Sequence, residues 1–174
     1  LVAELVDSDG YTGVDVSEKM LAIALRKFPR ANFLVGDGYR LDFPDRAFDV
    51  VLCFEVLGHL PRIDTFLAEL LRVARRTVVF TVWPAADRLV EEWHEEFGDR
   101  FLYRFYPHGV VLNALRAVAP ATGLDVEIGV LSAECWAYIA RPGSTNGVQV
   151  RRIYPVLAGA EPVEAGTGGC SGGP

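Results

Sequence analysis

The feature that most constrains the fold is an alternation of strand-like and helix-like segments along the first hundred residues. Short β-type runs end at acids or glycines, and segments with apolar residues three and four positions apart follow them. This alternation is typical of a doubly wound, mostly parallel α/β sheet. It predicts strands at 11–16, 31–35, 47–54 and 76–83, with helices at 17–28, 62–75 and about 86–97.

Two of these segments carry the clearest patterns. Residues 47–54, AFDVVLCF, are almost continuously apolar, as expected for a strand that is buried on both faces of a parallel sheet. Residues 76–83, RTVVFTVW, are predicted to form another buried strand, which stops at Pro84. The helix at 62–75 places one apolar stripe toward the core, made of Ile63, Phe66, Leu67, Leu70, Leu71 and Ala74.

The C-terminal part departs from the alternation. After an aromatic run at 101–108 and a helix at 109–119, two strands at 124–131 and 134–142 follow each other closely. That gap is too short for a parallel crossover, so we expect an antiparallel hairpin. The predicted fold is therefore a Rossmann-like sheet with a C-terminal antiparallel hairpin. It forms one domain over 1–142, followed by a Gly/Pro-rich tail over 143–174 that we expect to be disordered.

Composition limits the class of protein and its partners. Of the 174 residues, 51% are hydrophobic and the net charge is −6, which indicates a globular domain and disfavours nucleic acid as a partner. No apolar run reaches the roughly 20 residues of a membrane span, so no membrane association is predicted. The cysteines, Cys53, Cys135 and Cys170, lack any metal-binding spacing. We expect reduced thiols, a cytoplasmic protein and no metal site.

The stretch YTGVDVSEKML, residues 11–21, carries the first chemical signal. A strand ends on Asp15, and Ser17 is placed to cap the next helix. An acid at this place binds a ribose in nucleotide-binding α/β proteins, and it follows a glycine-rich loop by about 20 residues. Asp15 could instead belong only to the helix cap, and Asp37, between two glycines, could be only a turn residue.

Three stretches together resemble class I S-adenosylmethionine-dependent methyltransferases of the small-molecule type. They are GVDVSEKML (13–21), GDGYRLDFPDRAFDVVLCFEVLGHL (36–60) and the C-terminal hairpin. The resemblance implies the strand order 3-2-1-4-5-7-6, with strand 7 antiparallel, and a cofactor over the carboxyl ends of the strands. The family's first strand and its acidic-x-Gly-x-Gly-x-Gly loop have no counterpart here. Residues 1–6 resemble the end of the helix that follows that loop, so we expect this strand and loop to be missing.

The resemblance also assigns the S-adenosylmethionine site. Asp15 would accept hydrogen bonds from the ribose hydroxyls, because a carboxylate offers two acceptor oxygens. Asp37 would accept from the adenine amino group, and the Gly38 N–H would reach a ring nitrogen. The other members would pack on the nucleoside or line the methionine end: Val16, Met20, Phe54 and Glu55.

The resemblance assigns acceptor binding to the segment after the fifth strand, residues 86–115, where the family varies most. Candidate acceptor contacts are Trp93, Tyr103 and Tyr106, with a lid or core role as the alternative. A sulfonium already activates its methyl group, so no metal is required, but a hydroxyl or acidic-carbon acceptor needs a base. The candidates for that base are His59, His94 and His108, and the sequence does not choose among them. His59 could instead line the cofactor site.

The resemblance thus predicts methyl transfer from S-adenosylmethionine to a small-molecule acceptor. Two other functions fit parts of the sequence: a methyltransferase-like binding domain without catalysis, and a nicotinamide-dependent oxidoreductase. The closing hairpin and the 36–60 stretch favour the methyltransferase. The upstream sequence separates the two enzyme classes, since a nicotinamide enzyme would carry G-x-G-x-x-G without a preceding acid.

Overall fold

A computed structural model describes residues 10–96, 98–119, 123–143 and 147–153. The three helices are α1 (Glu18–Lys27), α2 (Ile63–Val73) and α3 (His108–Val118), which confirms the helices predicted near 17–28, 62–75 and 109–119. A short 3-10 helix covers Leu57–His59. The strands are β1 (Thr12–Asp15), β2 (Asn32–Val35), β3 (Phe48–Cys53), β4 (Ala74–Ala85), β5 (Val90–Glu96), β6 (Asp99–Pro107), β7 (Leu124–Ser132), β8 (Cys135–Pro142) and β9 (Val148–Ile153).

The strands form two separate sheets. β1 and β2 pair in parallel and form a sheet of two. In the larger sheet β3 pairs in parallel with β4, β4 pairs antiparallel with β8, and β8 pairs antiparallel with β7. This confirms the mostly parallel arrangement with an antiparallel C-terminal hairpin. The order matches the family order 3-2-1-4-5-7-6, except that no described strand occupies position 1 between β1 and β3.

The core lies between the larger sheet and α2 and α3. Side chains of β4 fill its centre, with Val78 and Val82 buried and the ring of Phe80 stacked on Tyr138 of β8. The stripe predicted for α2 faces this core: Ile63, Phe66, Leu67 and Leu70 are buried, and Leu71 is partly buried. By contrast, α1 has no fully buried residue. No helix within the described ranges is long and apolar enough to span a membrane.

Burial of β3 differs from the prediction. Val51 and Cys53 contribute to the core on one face, whereas Val50 is 52% exposed and Leu52 is 37% exposed on the other. The strand was expected to be covered on both faces. The described chain covers only one of them, because α2 packs on one face and α1 packs on β1 and β2.

The helix predicted at about 86–97 is wrong. This segment forms β5, which pairs antiparallel with β6 and places His94 opposite Phe101. An ion pair of 2.6 Å between Glu91 and Arg104 also joins the two strands. Glutamates favour helices locally, but cross-strand pairing with the aromatic β6 overrides that weak preference.

The predicted end of the strand at 76–83 is also wrong, because β4 continues through Pro84 to Ala85. At this end β4 leaves β3 and pairs in parallel with β6, with Trp83 opposite Phe105. The proline lacks an N–H, so it is tolerated where the pairing is short and at the sheet margin.

The predicted disordered tail at 143–174 contains one ordered element. Residues Val148–Ile153 form β9, which pairs in parallel with β7 and extends the larger sheet. The alternating apolar residues of VQVRRI are the signal that the glycine-rich surroundings obscured. Residues 144–146 and 154–174, including Cys170, lie outside the described part of the chain.

Arg72 holds the loop at 41–45, which lies between the small sheet and the large one. Its guanidinium donates to the carbonyl oxygens of Leu41 and Phe43, at 2.9 and 2.8 Å, and to the carboxylates of Asp45 and Glu69. Glu69 also accepts the Leu41 N–H at 2.6 Å. The loop at 41–45 is thereby held on α2 by charge-assisted hydrogen bonds.

Replacing Arg72 with alanine is expected to lower the free energy of unfolding by more than the loss of an exposed ion pair does, because charge-assisted contacts with four groups are lost. The Arg75→Ala variant is the control, since its ion pair with Asp49 is exposed and should contribute less than about 1 kcal/mol. Urea denaturation measures both. Equal effects would contradict a special role for Arg72.

The contact between Arg72 and Glu69 predicts that the free energy of unfolding depends on pH. The hydrogen bond from Arg72 lowers the pKa of Glu69 below its ordinary value of 4.5. A carboxyl whose pKa is lowered by folding stabilises the protein above its unfolded pKa, and this contribution is lost as pH falls through the folded pKa. Between pH 5 and about 3 the wild type should therefore lose more stability than Arg72→Ala.

Candidate cofactor site

The candidate site is a cleft of about 500 Å³ between the two sheets. This volume lies within the range of roughly 300–1,000 Å³ that is typical of small-molecule sites. Its walls run along the whole of β1 and β3, and the turn at 36–38 and the α2 residues Phe66, Leu70 and Val73 complete them. At one end of the cleft, Asp15, Asp37 and Phe54 follow the carboxyl ends of β1, β2 and β3, which is where ligands of open α/β sheets bind.

Asp15 is fixed at the end of β1 by the start of the following helix. Its Oδ1 accepts the Ser17 N–H at 2.8 Å, and Ser17 Oγ accepts the Met20 N–H at 3.3 Å. The second oxygen, Oδ2, makes no hydrogen bond to the described part of the chain. A helix-entry role and a ligand-binding role for Asp15 are therefore compatible, because each uses a different oxygen.

Asp37 and Gly38 form a tight turn after β2. Asp37 Oδ1 accepts the Tyr39 N–H at 2.9 Å, and its carbonyl accepts the Arg40 N–H at 2.9 Å. A Cβ added at Gly38 would overlap the ring of Phe66. The turn predicted for Asp37 is thus present, and glycine is required beside it for close approach to α2.

Glu55 adopts a strained backbone conformation at the carboxyl end of β3, with φ of 58°. Its N–H donates to Oγ1 of the buried Thr81 at 3.0 Å, and that hydroxyl donates back to Glu55 Oε1 at 3.1 Å. The other oxygen, Oε2, accepts the indole N–H of Trp83 at 2.6 Å. Glu55 therefore fixes the orientation of Trp83, a site residue that sequence reasoning missed. The available signal was a tryptophan at the carboxyl end of a buried strand.

The structure brings together five of the seven residues assigned to the cofactor. Asp15, Val16, Asp37, Gly38 and Phe54 all line the cleft. Met20 lies in the first turn of α1 and is 54% exposed. Met20 and Glu55, whose carboxylate is bonded to β4, are not among the lining residues.

An aromatic cluster, composed of His59, Trp83, His94 and Tyr103, stands beside the cleft. Tyr103 stacks on Trp83 with ring centroids 4.9 Å apart, and His59 contacts both rings edge-to-face at 4.8–5.0 Å. His94 lies 4.6 Å from Tyr103. A Cβ at Gly58 would overlap Trp83, so the cluster is packed directly on the 3-10 helix.

The predicted acceptor residues occupy different environments. Tyr103 belongs to the aromatic cluster, and Trp93 is 60% exposed with Arg100 over its ring at 5.0 Å. Tyr106 is only 3% exposed, and its hydroxyl donates to the Leu57 carbonyl at 3.3 Å. Burial raises the pKa of Tyr106 to about 12. Tyr106 is therefore a core residue.

The three candidate histidines also differ. His59 Nδ1 lies 3.0 Å from the carbonyl oxygen of Leu102, and His94 Nε2 lies 3.2 Å from Glu92 Oε2. His108 Nδ1 is 2.9 Å from the hydroxyl of the buried Tyr138. The structure places His59 and His94 together in the aromatic cluster and His108 against the core.

Comparison with solved structures supports the same fold. A Methanosarcina mazei structure described as a SAM-dependent methyltransferase superposes with a TM-score of 0.65 over 82% of this chain and 87% of the other, at 15% identity. The 1,6-didemethyltoxoflavin-N1-methyltransferase of Burkholderia thailandensis, solved with S-adenosylhomocysteine and 1,6-didemethyltoxoflavin, superposes with a TM-score of 0.56 at 20% identity. That match covers 76% of this chain and 60% of the other. The architecture is the class I methyltransferase fold.

Sequence comparison finds similar proteins as well as a similar fold. Residues 2–82 match the methyltransferase domain family. The fatty-acid O-methyltransferase of Mycolicibacterium smegmatis is 32% identical over 111 residues, or 62% of this chain and 40% of that protein. A phthiotriol/phenolphthiotriol dimycocerosates methyltransferase of Mycobacterium ulcerans is 39% identical over 67 residues, or 37% of this chain and 25% of that protein. The chain thus spans less than half the length of these relatives. Residues 2–82 are therefore similar to the methyltransferase domain family, and the fold is shared with solved S-adenosylmethionine-dependent methyltransferases.

Proposed function

We propose that the protein transfers a methyl group from S-adenosylmethionine to a small-molecule acceptor that carries a long apolar part. The observation that carries this proposal is the convergence of Asp15, Asp37 and Phe54 on one cleft. They come from the ends of three strands in two sheets, and the family assigns each of them to the cofactor.

The chemistry of the cleft fits a cationic nucleoside ligand. Asp15 Oδ2 is an acceptor for ribose hydroxyls, and the Asp37 carboxylate is an acceptor for an exocyclic amine. Phe54 and Val16, which are 40% and 72% exposed, offer apolar surface to the ligand. When bound, S-adenosylmethionine supplies a methyl group that its positive sulfur has already activated.

In this proposal the protein orients the reactants and excludes water, and no step requires a metal ion. The cleft holds the donor with its reactive end toward β3 and β4, and the acceptor enters from the side of the aromatic cluster. Alignment of the reacting atoms and exclusion of water are the main sources of rate enhancement in such a displacement.

An apolar acceptor is supported by two observations. The relatives include methyltransferases named for fatty acids, phthiotriol dimycocerosates and, in Yarrowia lipolytica, a sterol. In this chain, large apolar side chains are exposed around the β5–β6 hairpin and the 3-10 helix. They are Leu89, Trp93, Phe101 and Val56, at 41%, 60%, 38% and 36% exposure.

Calorimetry of S-adenosylmethionine binding to the full-length protein tests the assignment of Asp15. Asp15→Ala should weaken binding about 10- to 150-fold, because a charged hydrogen-bond acceptor is lost. Asp15→Asn keeps an oxygen for the Ser17 N–H and isolates the effect of the charge. Asp87→Ala, at an exposed bend, is the control.

Three results would count against the proposal. Unchanged affinity in Asp15→Ala would show that the ribose assignment is wrong. Binding of a reduced nicotinamide dinucleotide in place of S-adenosylmethionine would favour the oxidoreductase. A protein that binds S-adenosylmethionine tightly but transfers no label to a lipid extract would be the binding domain without catalysis.

A further inference from the structure

We propose that His59 is the general base that deprotonates the acceptor, and that the acceptor is therefore a neutral hydroxyl compound. This inference rests on the proposed function and adds to it the class of reacting group. Its basis is the protonation pattern that the fold imposes on the imidazole.

The backbone of β6 fixes the tautomer of His59. Nδ1 lies 3.0 Å from the carbonyl oxygen of Leu102, and a carbonyl oxygen can only accept a hydrogen bond. Nδ1 must therefore carry the proton. In the neutral imidazole the lone pair then resides on Nε2, the nitrogen that can accept a proton.

Of the three histidines, only His59 lies in a segment that borders the cleft, since Val56 and Leu60 line it. His94 Nε2 is already within 3.2 Å of Glu92 Oε2, and His108 Nδ1 meets the hydroxyl of Tyr138 against the core. Within the described residues, no group is hydrogen-bonded to Nε2 of His59. Its side chain is exposed, at the carboxyl end of β3.

The surroundings of His59 suit a base that becomes a cation. The rings of Trp83 and Tyr103 lie at 5.0 and 4.8 Å, and Phe101 lies at 6.4 Å. The Leu102 carbonyl keeps its hydrogen bond from Nδ1 when the imidazole takes a proton at Nε2. A base fixed by its second nitrogen is also held in one orientation, as efficient proton transfer requires.

The charged and titratable groups on the neighbouring elements are few. From β4, Trp83 brings the Glu55 carboxylate that accepts its indole N–H. On the side of β5 and β6 are Tyr103, the His94–Glu92 pair, and Arg104, which donates to the Leu60 carbonyl and pairs with Glu91. The pH dependence described below is that of the acceptor hydroxyl in the variant that lacks His59.

The proposed step is a balanced proton and methyl transfer. Nε2 of His59 takes the hydroxyl proton while the acceptor oxygen forms its bond to the methyl carbon. The carbon–sulfur bond breaks and its electron pair stays on the sulfur, which leaves a neutral thioether. The imidazolium then releases its proton to solvent, which its exposed position permits.

This role discriminates between two acceptor chemistries. A carboxylate is already ionised at neutral pH and needs no base, whereas a phenol, with a pKa near 10, does. If His59 acts as a base, the reacting group is a phenol-like or alcohol-like hydroxyl rather than a free fatty acid.

The test uses the full-length protein with two probes of similar chain length, 4-dodecylphenol and dodecanoic acid. The variant is His59→Asn, because the asparagine amide can still donate to the Leu102 carbonyl but cannot act as a base. With the phenol, kcat should fall about 10²- to 10⁴-fold. The variant's rate should also rise with pH toward the phenol's own pKa, near 10. Methylation of dodecanoic acid, if present, should change less than about threefold, and affinity for S-adenosylmethionine should be unchanged.

Several outcomes would overturn the role of His59 and leave the proposed function standing. They are an equal loss with both probes, no loss with the phenol, or a wild type that binds S-adenosylmethionine but does not methylate the phenol. Long-range ¹⁵N–¹H correlation spectra give an independent check, since an Nε2–H tautomer would also overturn it. A wild type that does not bind S-adenosylmethionine would instead overturn the proposed function, and the role of His59 with it.

Discussion

Amide protons of β1 and β2 in the 174-residue chain are expected to exchange with solvent at least about a thousandfold faster than those of β4 and β8. The two short strands pair only with each other among the described residues, and α1, which covers them, has no fully buried side chain. An isolated two-stranded sheet is marginal in water, and local stability ranges from near zero up to the global value. Each tenfold difference in exchange corresponds to about 1.4 kcal/mol of opening free energy.

The reason for this weakness is that no strand of the described residues lies between β1 and β3. A central strand buries about four large apolar side chains, each contributing about 1.5–3 kcal/mol, or roughly 6–12 kcal/mol together. That amount is comparable to the whole stability of about 5–15 kcal/mol that is typical of a domain. The exposure of Val50 and Leu52 on β3 shows the same deficit, and such unpaired apolar edges favour aggregation.

Hydrogen exchange followed by mass spectrometry measures the difference directly. Extending the chain at Leu1 with an apolar strand and an acidic-x-Gly-x-Gly-x-Gly loop should slow exchange in β1 and β2 and strengthen binding of S-adenosylmethionine. An extension of equal length and scrambled sequence is the control. Equal protection of β1 and β4 in the 174-residue chain, with a single cooperative unfolding transition, would contradict this explanation of the weakness of β1 and β2.

Elements with strong local patterns could be predicted from the sequence. The apolar stripe of α2 and the capping serine of α1 are local signals, and both helices are where the pattern places them. The two-residue gap between β7 and β8 likewise required a hairpin. The resemblance to the family then supplied the order of the strands.

Features that depend on distant partners could not be predicted. The segment that forms β5 has helix-favouring glutamates, and only β6, which follows it, makes it a strand. The hydrogen bond that sets the tautomer of His59 comes from Leu102, 43 residues away. The carboxylate that orients Trp83 belongs to Glu55, in the loop after β3, and its position depends on a positive φ that no local sequence pattern predicts.

Two tyrosines on β6 are expected to separate the core from the acceptor site. Tyr106→Ala should lower the free energy of unfolding by about 3–5 kcal/mol, as for other large aromatic side chains truncated in a core. Tyr106 is 3% exposed and its hydroxyl is bonded to the Leu57 carbonyl. Tyr106→Phe keeps the ring and should cost only about 0.5–1.5 kcal/mol for the hydrogen bond.

Tyr103 faces the opposite side of the same strand, where it stacks on Trp83 and contacts His59. Tyr103→Ala should therefore change the kinetics of the acceptor while stability and affinity for S-adenosylmethionine stay close to those of the wild type. Thermal unfolding, calorimetry and acceptor kinetics on the three variants separate the roles. Matching losses of stability and of acceptor turnover in Tyr103→Ala would show that this ring, like that of Tyr106, belongs to the core.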